Sequence, residues 1–394
     1  MDTLRLRKGE ERRLLAGHLW VFSNEVDVKA TPLTGFEPGQ PVLIASSRGE
    51  PIGHGYVNPH SLIAARLCSR GTARPLDAAL IRARLEAALA LREAFYDKPF
   101  YRLVHSEGDW LPGVVIDRYG DVLVMQVNTA GMERMLDVLL AELDALIAPA
   151  TVLLRNDSPV RELENLPRYV KLIKGSLPEQ VTVEENGLRF LASLDSGQKT
   201  GWFYDHRENR AALRPLSQGK RVLDVFSYLG GWGLNAAAGG AAEVLAVDAS
   251  AAALALAAKN AELNGFGERF STRCGDAADV LRALADEGAQ FDIVVLDPPA
   301  FIKRRKDHKA GLAQYELINR LGMALLADGG LLVSASCSQH LSAADLNNAM
   351  IRAARKNRAS VQVLSSAGQG PDHPVNAAMP ETAYLKSVLA RLIR

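Results

Sequence analysis

Residues 220–250 read KRVLDVFSYLGGWGLNAAAGGAAEVLAVDAS. The apolar run RVLDVF at 221–226 has the length and composition of a strand buried on both faces. A glycine-bearing turn follows at 227–233, then small residues of helical character, then a second apolar run, EVLAVD, closing on Asp248. Strand, glycine turn, helix and strand form the repeating unit of a parallel sheet. The glycines let backbone approach a ligand, and a carboxylate at the end of the second strand can accept two ribose hydroxyls. Asp224 and Asp248 are the two acids so placed. The stretch predicts an α/β, Rossmann-like domain whose ligand lies at the carboxyl ends of its strands.

The turn YLGGWG lacks the spaced G-x-G-x-x-G of a pyrophosphate site. Asp224 precedes it, and a carboxylate there repels phosphate but suits a cationic amino acid. S-adenosylmethionine (SAM) presents an ammonium, a sulfonium and a ribose. Asp224 on the ammonium and Asp248 on the ribose therefore favour SAM over a nicotinamide dinucleotide. A doubly wound domain with degenerate glycines and no ligand is the bland alternative.

Toward the C-terminus, 251–266 read as the next crossover helix and 271–281 as a short strand ending near Asp276, with Cys274 a small buried residue. Residues 292–301, DIVVLDPPAF, are another buried strand. Its prolines cannot donate to a ladder, so it stops near Leu296 and leaves Asp297 and Phe301 at the ligand edge. Lys303, Arg304, Arg305 and Lys306 follow, and a cluster of this kind leaving the ligand edge can meet RNA phosphates. The next strand closes on SASCSQH, 334–340. Cys337 is flanked by serines, precedes His340 and sits at the same edge as Asp297, which favours a nucleophile over an inert core thiol.

Toward the N-terminus, 181–194 read as a hairpin turning at Asn186 and Gly187. Residues 76–180 alternate helical and strand patterns and read as a small α+β domain without evident chemistry, and 1–75 as a small β-rich domain. Among residues 1–74, ten lysines and arginines stand against seven acids, interleaved with Trp20 and other rings. That mixture suits RNA, since cations meet phosphate and rings stack on bases. A barrel whose Trp20 is core and whose charges are solvated is equally open on composition.

The chain has 394 residues, 48% hydrophobic and 23% charged, with a net charge of +1. This is globular composition, and any pull on nucleic acid must be local. Three widely spaced cysteines suggest neither disulfides nor a metal site, and point to the cytoplasm. No apolar run is long enough to predict a membrane span.

Several of these phrases carry a resemblance. KGEERRLLAGHLWVFSNEV at 8–26 and VLIASSRGEPIGHGYVNPHSLIAARL at 42–67 resemble the PUA domain of the RlmI-type 23S rRNA methyltransferases. SGQKTGWFYDHRENR at 196–210 is similar to that family's signature ahead of its catalytic domain. SASCSQH matches the nucleophile position of pyrimidine C5 methyltransferases, and the DHP, PET and YLK elements at 372–386 match the family's C-terminal signature. The resemblance implies a β-barrel PUA domain at 1–75, a central domain at 76–180, and a class I SAM methyltransferase domain with a mixed seven-stranded sheet at 181–394. It implies a SAM site built from Gln198, Phe203, Asp224, Phe226, Gly230, Gly231, Asp248, Asp276 and Asp297. Phe301 and the cations at 303–306 would meet the RNA; a homodimer is compatible with the sequence.

The implied reaction is methylation of a cytosine C5 in 23S rRNA, with SAM as cofactor and no metal. C5 is a weak nucleophile, and addition of a thiolate to C6 makes it enamine-like. Cys337 is then the nucleophile, and Asp297 binds N3 or N4, as a donor if protonated or as an acceptor if ionised. Related enzymes carry a second cysteine in the motif occupied here by DPPAF, so the base that removes the C5 proton is open between Glu381 and His340. Methylation of an exocyclic amine, for which DPPAF alone would serve, and a non-catalytic RNA-binding assembly factor are the competing readings.

Overall fold

The structure is a computed structural model and describes residues 1–194 and 201–394. It divides into two compact units. One comprises Met1–Glu179, Ser193–Trp202 and Pro371–Thr382; the other Gln180–Ala192, Phe203–Gly370 and Ala383–Arg394.

The second unit is built on a seven-stranded sheet. Its strands are β1 (Arg221–Val225), β2 (Glu243–Asp248), β3 (Phe270–Cys274), β4 (Phe291–Leu296), β5 (Leu326–Ser336), β6 (Ser360–Ala367) and β7 (Lys386–Ile393). They lie in the order β3-β2-β1-β4-β5-β7-β6. β1 to β5 pair in parallel, and β7 runs antiparallel to both β5 and β6. Parallel pairing requires crossovers, which are the helices α1 (Gly231–Ala238), α2 (Ala251–Leu263), α3 (Ala277–Asp286) and α4 (His308–Ala324). A fifth helix, α5 (Ala343–Lys356), leads from β5 to β6.

The central strands are buried on both faces, as their unbroken apolar runs require. Val222, Leu223, Ile293, Val294 and Val295 are all fully buried. Their core continues into Tyr315 and Ile318 of α4 and Leu346 and Met350 of α5. The strand order reverses between β1 and β4, and the crevice above that reversal is where open α/β sheets hold ligands. Beside this sheet, Val181–Glu185 pairs with Leu188–Ala192 through Asn186 and Gly187, at φ 53° and 74°. Positive φ at both turn positions is the geometry that a tight two-residue hairpin needs.

The first unit holds two five-stranded sheets. The N-terminal one is ordered Asp2–Arg5, Gln40–Ala45, Pro51–Val57, Ile63–Leu67, Trp20–Phe22. The other runs from Tyr169–Lys174 to Phe100–His105 and carries the helix Ala78–Phe95. Buried polar contacts join them: Arg66 to Glu164 at 2.8 Å, and Trp20 Nε1 donating to Glu107 at 2.7 Å. Trp20 is therefore half-buried and hydrogen-bonded rather than an open stacking platform.

Within the first unit, the helical stretch 130–147 is broken at Met135, whose ψ of 7° is not helical, into Ala130–Arg134 and Leu136–Ile147. Two local expectations need correction. Cys274 is exposed rather than buried, because β3 is an edge strand. Asp276 lies two residues beyond the end of β3. Among the described residues, no helix is long and apolar enough to cross a membrane.

Candidate active site

The site grows from the carboxyl ends of β1, β2, β4 and β5. Asp224, one residue before the end of β1, is fully buried. Its Oδ2 accepts the Gly233 N–H at 2.8 Å, while Oδ1 has no hydrogen-bond partner among the described residues. Burial pushes this carboxyl up to about 7; the Gly233 N–H opposes the rise, and Asp297 and Asp248 add to it. A buried, half-satisfied carboxylate of this kind needs an outside donor.

The turn after β1 is held in a costly shape. Phe226 and Tyr228 adopt φ of 64° and 49°, a region that costs a non-glycine residue about 1–3 kcal/mol. Asp248 helps to hold it: Oδ2 accepts the Tyr228 N–H at 2.9 Å and Oδ1 accepts the Ser250 N–H at 2.8 Å. Gly230 caps α1 at φ 81°, and a side chain at Gly233 would lie 2.8 Å from Val244 and 3.1 Å from Asp224. Gly231 is the first residue of α1. Strain concentrated between two carboxylates is the mark of a ligand cradle. The bare Oδ1 suits an ammonium and the β2 terminus suits a ribose, so these residues fit SAM.

Asp276 is exposed and caps α3, its Oδ1 accepting from Ala278 and Asp279. Phe203 sets its ring edge-on to Tyr228 at 5.5 Å. Its carbonyl accepts from Arg210, which also grips buried Glu185 with two bonds of 2.7 and 2.8 Å. Gln198 lies outside the described residues.

Asp297 follows β4. Trp232 Nε1 donates to its Oδ2 at 3.1 Å, and His206 Nε2 lies 3.3 Å from its Oδ1. Burial works against the Asp297 charge, but His206 and the Trp232 N–H outweigh it and hold the carboxyl below its usual range. Burial likewise opposes a charge on His206, and Asp297 outweighs it, so the imidazole is raised. Each partner thus favours the charged form of the other.

Cys337 follows β5. β4 and β5 pair in parallel with Leu296 opposite Ser334, so Asp297 and Cys337 leave the sheet at one edge. The Tyr315 hydroxyl ties this edge together. It accepts from Ser336 at 2.7 Å, bonds Ser338 at 2.8 Å, and lies 3.5 Å from the Phe301 N–H. The Phe301 ring packs at 4.9 Å on Tyr315 and 6.4 Å from Phe226. Lys303, Arg304, Arg305 and Lys306 are all exposed beyond it. A cleft of about 480 Å³ opens past the end of β5, lined in part by Arg305, His308, Gln339, His340 and Lys386, with Gln339 two residues beyond Cys337. Glu381 belongs to the other unit, where its Oε2 lies 3.7 Å from His18.

The structure thus brings together Asp224, Phe226, Gly230, Asp248, Asp297, Phe301 and Cys337 at the sheet edge. Four residues of the site lay beyond the sequence reading: His206, Trp232, Tyr315 and Lys386. Trp232 stands inside the glycine turn and His206 in the phrase FYDHRENR, so both had a local signal. Tyr315 reads as an ordinary helix residue.

Comparison with known proteins agrees with this architecture. A PUA-like domain family matches residues 4–70, and an S-adenosylmethionine-dependent methyltransferase family matches residues 108–391. The ribosomal RNA large subunit methyltransferase I of Erwinia tasmaniensis is 36% identical over 394 residues, covering 98% of both chains. A SAM-dependent methyltransferase from Streptococcus mutans superposes with a TM-score of 0.83 at 22% identity, over 99% of this chain and 100% of that one. A methyltransferase solved with SAH superposes with a TM-score of 0.84, at the same identity and coverage.

Proposed function

The chain belongs to the ribosomal RNA large subunit methyltransferase I family, and from that premise we propose that it methylates C5 of a cytosine in 23S rRNA through a covalent bond from Cys337 to C6. The observation that carries this reading is the placement of Cys337 and Asp297 at one edge of adjacent parallel strands. A cysteine is superfluous for methylating an amine, but a C5 reaction needs one.

SAM supplies an electrophilic methyl group on a sulfonium. Asp224 would take its ammonium, Asp248 its ribose hydroxyls and Asp276 its adenine amine. Phe203, Phe226, Gly230 and Gly231 would complete the cradle; Gln198, also implied by the resemblance, lies outside the described residues. Residues 1–75 dock the RNA, and Lys303, Arg304, Arg305 and Lys306 hold phosphates near the target base.

The base enters beside Phe301. Cys337 Sγ bonds to C6, and the C5–C6 π pair moves onto C5. The carboxylate form of Asp297 is favoured by His206 and Trp232, which supports acceptance from the N4 amine rather than donation at N3. Asp297 favours the protonated form of His206, which makes His206 the candidate proton source. C5 takes the methyl group, a base removes the C5 proton, and the returning pair expels Cys337.

Glu381 and His340 remain the two candidates for that base, and His340 lines the cleft past the end of β5. If Glu381 serves, Glu381→Gln accumulates a protein–RNA adduct; native turnover without adduct passes the role to His340. Cys337→Ser is expected to lower methyl transfer to unmodified 23S rRNA by at least about a thousandfold. Full activity in that variant would replace the C5 reading with amine methylation.

A further inference from the structure

Lys386 opens β7 directly opposite Ser336, the last residue of β5. Its ammonium donates to the Ser338 carbonyl at 2.5 Å and to the Tyr384 carbonyl at 2.7 Å. Ser336 and Ser338 flank Cys337, so the ammonium is moored to the segment that carries the thiol. A lysine bears three N–H donors, and two are taken by these carbonyls. The side chain also lines the cleft past the end of β5, together with Gln339 and His340, which follow Cys337 in the chain.

Other charges line the same cleft: Arg305 and His308 from the segment before and at the start of α4, and Asp345 from α5. Asp345 faces His308 at 3.4 Å. Tyr315 bonds both serines around Cys337 and is raised above an ordinary phenol by burial, so it adds no negative charge. Arg305 and Lys386 thus outnumber Asp345 among the permanent charges of the cleft, and Lys386 is the one moored to the residue after Cys337.

We propose that Lys386 is a positioning residue for Cys337: its moored ammonium holds the sulfur as a thiolate ready to attack the base. The inference rests on reading Cys337 as the nucleophile. The thiol proton leaves to solvent through the cleft and its electron pair stays on sulfur. No proton passes to Lys386, which remains a cation. That pair forms the bond to C6 and is recovered when the bond breaks. Burial pulls Lys386 down to about 8 and the Cys337 charge pulls it back up, as expected of two groups that sense each other. A thiolate beside a fixed cation forms at lower pH than a free thiol.

The test is alkylation of the full chain by iodoacetamide across pH 5–10, followed at the Cys337 peptide by mass spectrometry. Exposed Cys274 serves as the reference thiol within the same molecule. Lys386→Met is expected to move the Cys337 midpoint up by about one pH unit, slowing its alkylation about tenfold at neutral pH, with Cys274 unaffected. Lys386→Arg returns most of the shift. If Lys386→Met does not fold, Lys386→Gln carries the same expectation. An unchanged Cys337 profile in the folded neutral variant overturns the inference. Cys337→Ser assayed for methyl transfer separates the two claims: its full activity overturns the nucleophile reading, whatever the alkylation profile.

Discussion

Asp224 carries opposite demands. Folding buries its carboxyl with one oxygen unsatisfied, and the proposed contact with the SAM ammonium asks it to be charged. In the folded chain it titrates near 7, against 3.8 for a free aspartate. The folded state therefore holds this proton more tightly than the unfolded state does. Its contribution to stability is full below pH 4 and is lost as the pH rises toward 7. Asp224→Asn should raise the thermal midpoint at pH 8 and change it little at pH 4. The same variant should lose SAM affinity by at least about a hundredfold, since an amide cannot pair with an ammonium. In the wild type, SAM affinity should rise about tenfold per pH unit from 5.5 and level off near 7, as the carboxyl ionises. Calorimetric titration at several pH values reads both effects, and a flat profile would remove Asp224 from the ammonium. Within the His206–Asp297 pair the signs differ: His206 is raised, so its contribution, like that of Asp224, is lost as the pH rises, whereas Asp297 is lowered and has the opposite sign. Asp297 is already ionised, so its contribution is present at neutral pH and lost only in acid.

At the scale of elements, the loop bearing Phe203 and His206 is held in part by the buried Arg210–Glu185 ion pair. Arg210 holds Glu185 of the hairpin and the Phe203 carbonyl at once. Arg210→Met leaves Glu185 buried without this partner and should cost about 3–5 kcal/mol in denaturant unfolding. Adding Glu185→Leu should recover most of that loss; equal losses in the single and double variants would show that the pair is not the cause. The parallel strands were legible because burial on both faces demands unbroken apolar runs, as in RVLDV and FDIVVL. β6 was not, because nearly all of SVQVLSSA is exposed at the sheet edge and carries no period. Cys274 was misread for the same reason. Asp224, Asp248, Asp297 and Cys337 could be found because each sits at or near a strand's carboxyl end. The placing of Lys386 and Tyr315 could not, although Lys386 falls in the YLK element, because the Ser336–Ser338 segment reaches them only through the pairing of β5 with β7 and the docking of α4.

At the scale of the whole molecule, the chain joins a PUA-like domain to a SAM methyltransferase fold. Deleting residues 1–75 is a poor test of RNA docking, because it strips Arg66 from buried Glu164 within the first unit. Replacing exposed Lys8 and Arg12 by Gln leaves that ion pair intact and should weaken RNA binding. Neutralising Lys303, Arg304, Arg305 and Lys306 should lower the slope of log affinity against log salt by about 0.7 for each phosphate that these cations neutralise. An unchanged slope would take the cluster off the RNA path. The covalent step is tested most directly with 23S rRNA carrying 5-fluorocytidine in place of cytidine. Fluorine cannot leave as a cation, so an attacked and methylated base stays bonded to its nucleophile. The account predicts a SAM-dependent protein–RNA adduct whose digest places the nucleotide on Cys337, and no adduct with Cys337→Ser. Methyl transfer to the natural rRNA by Cys337→Ser, or an adduct on another residue, would contradict it.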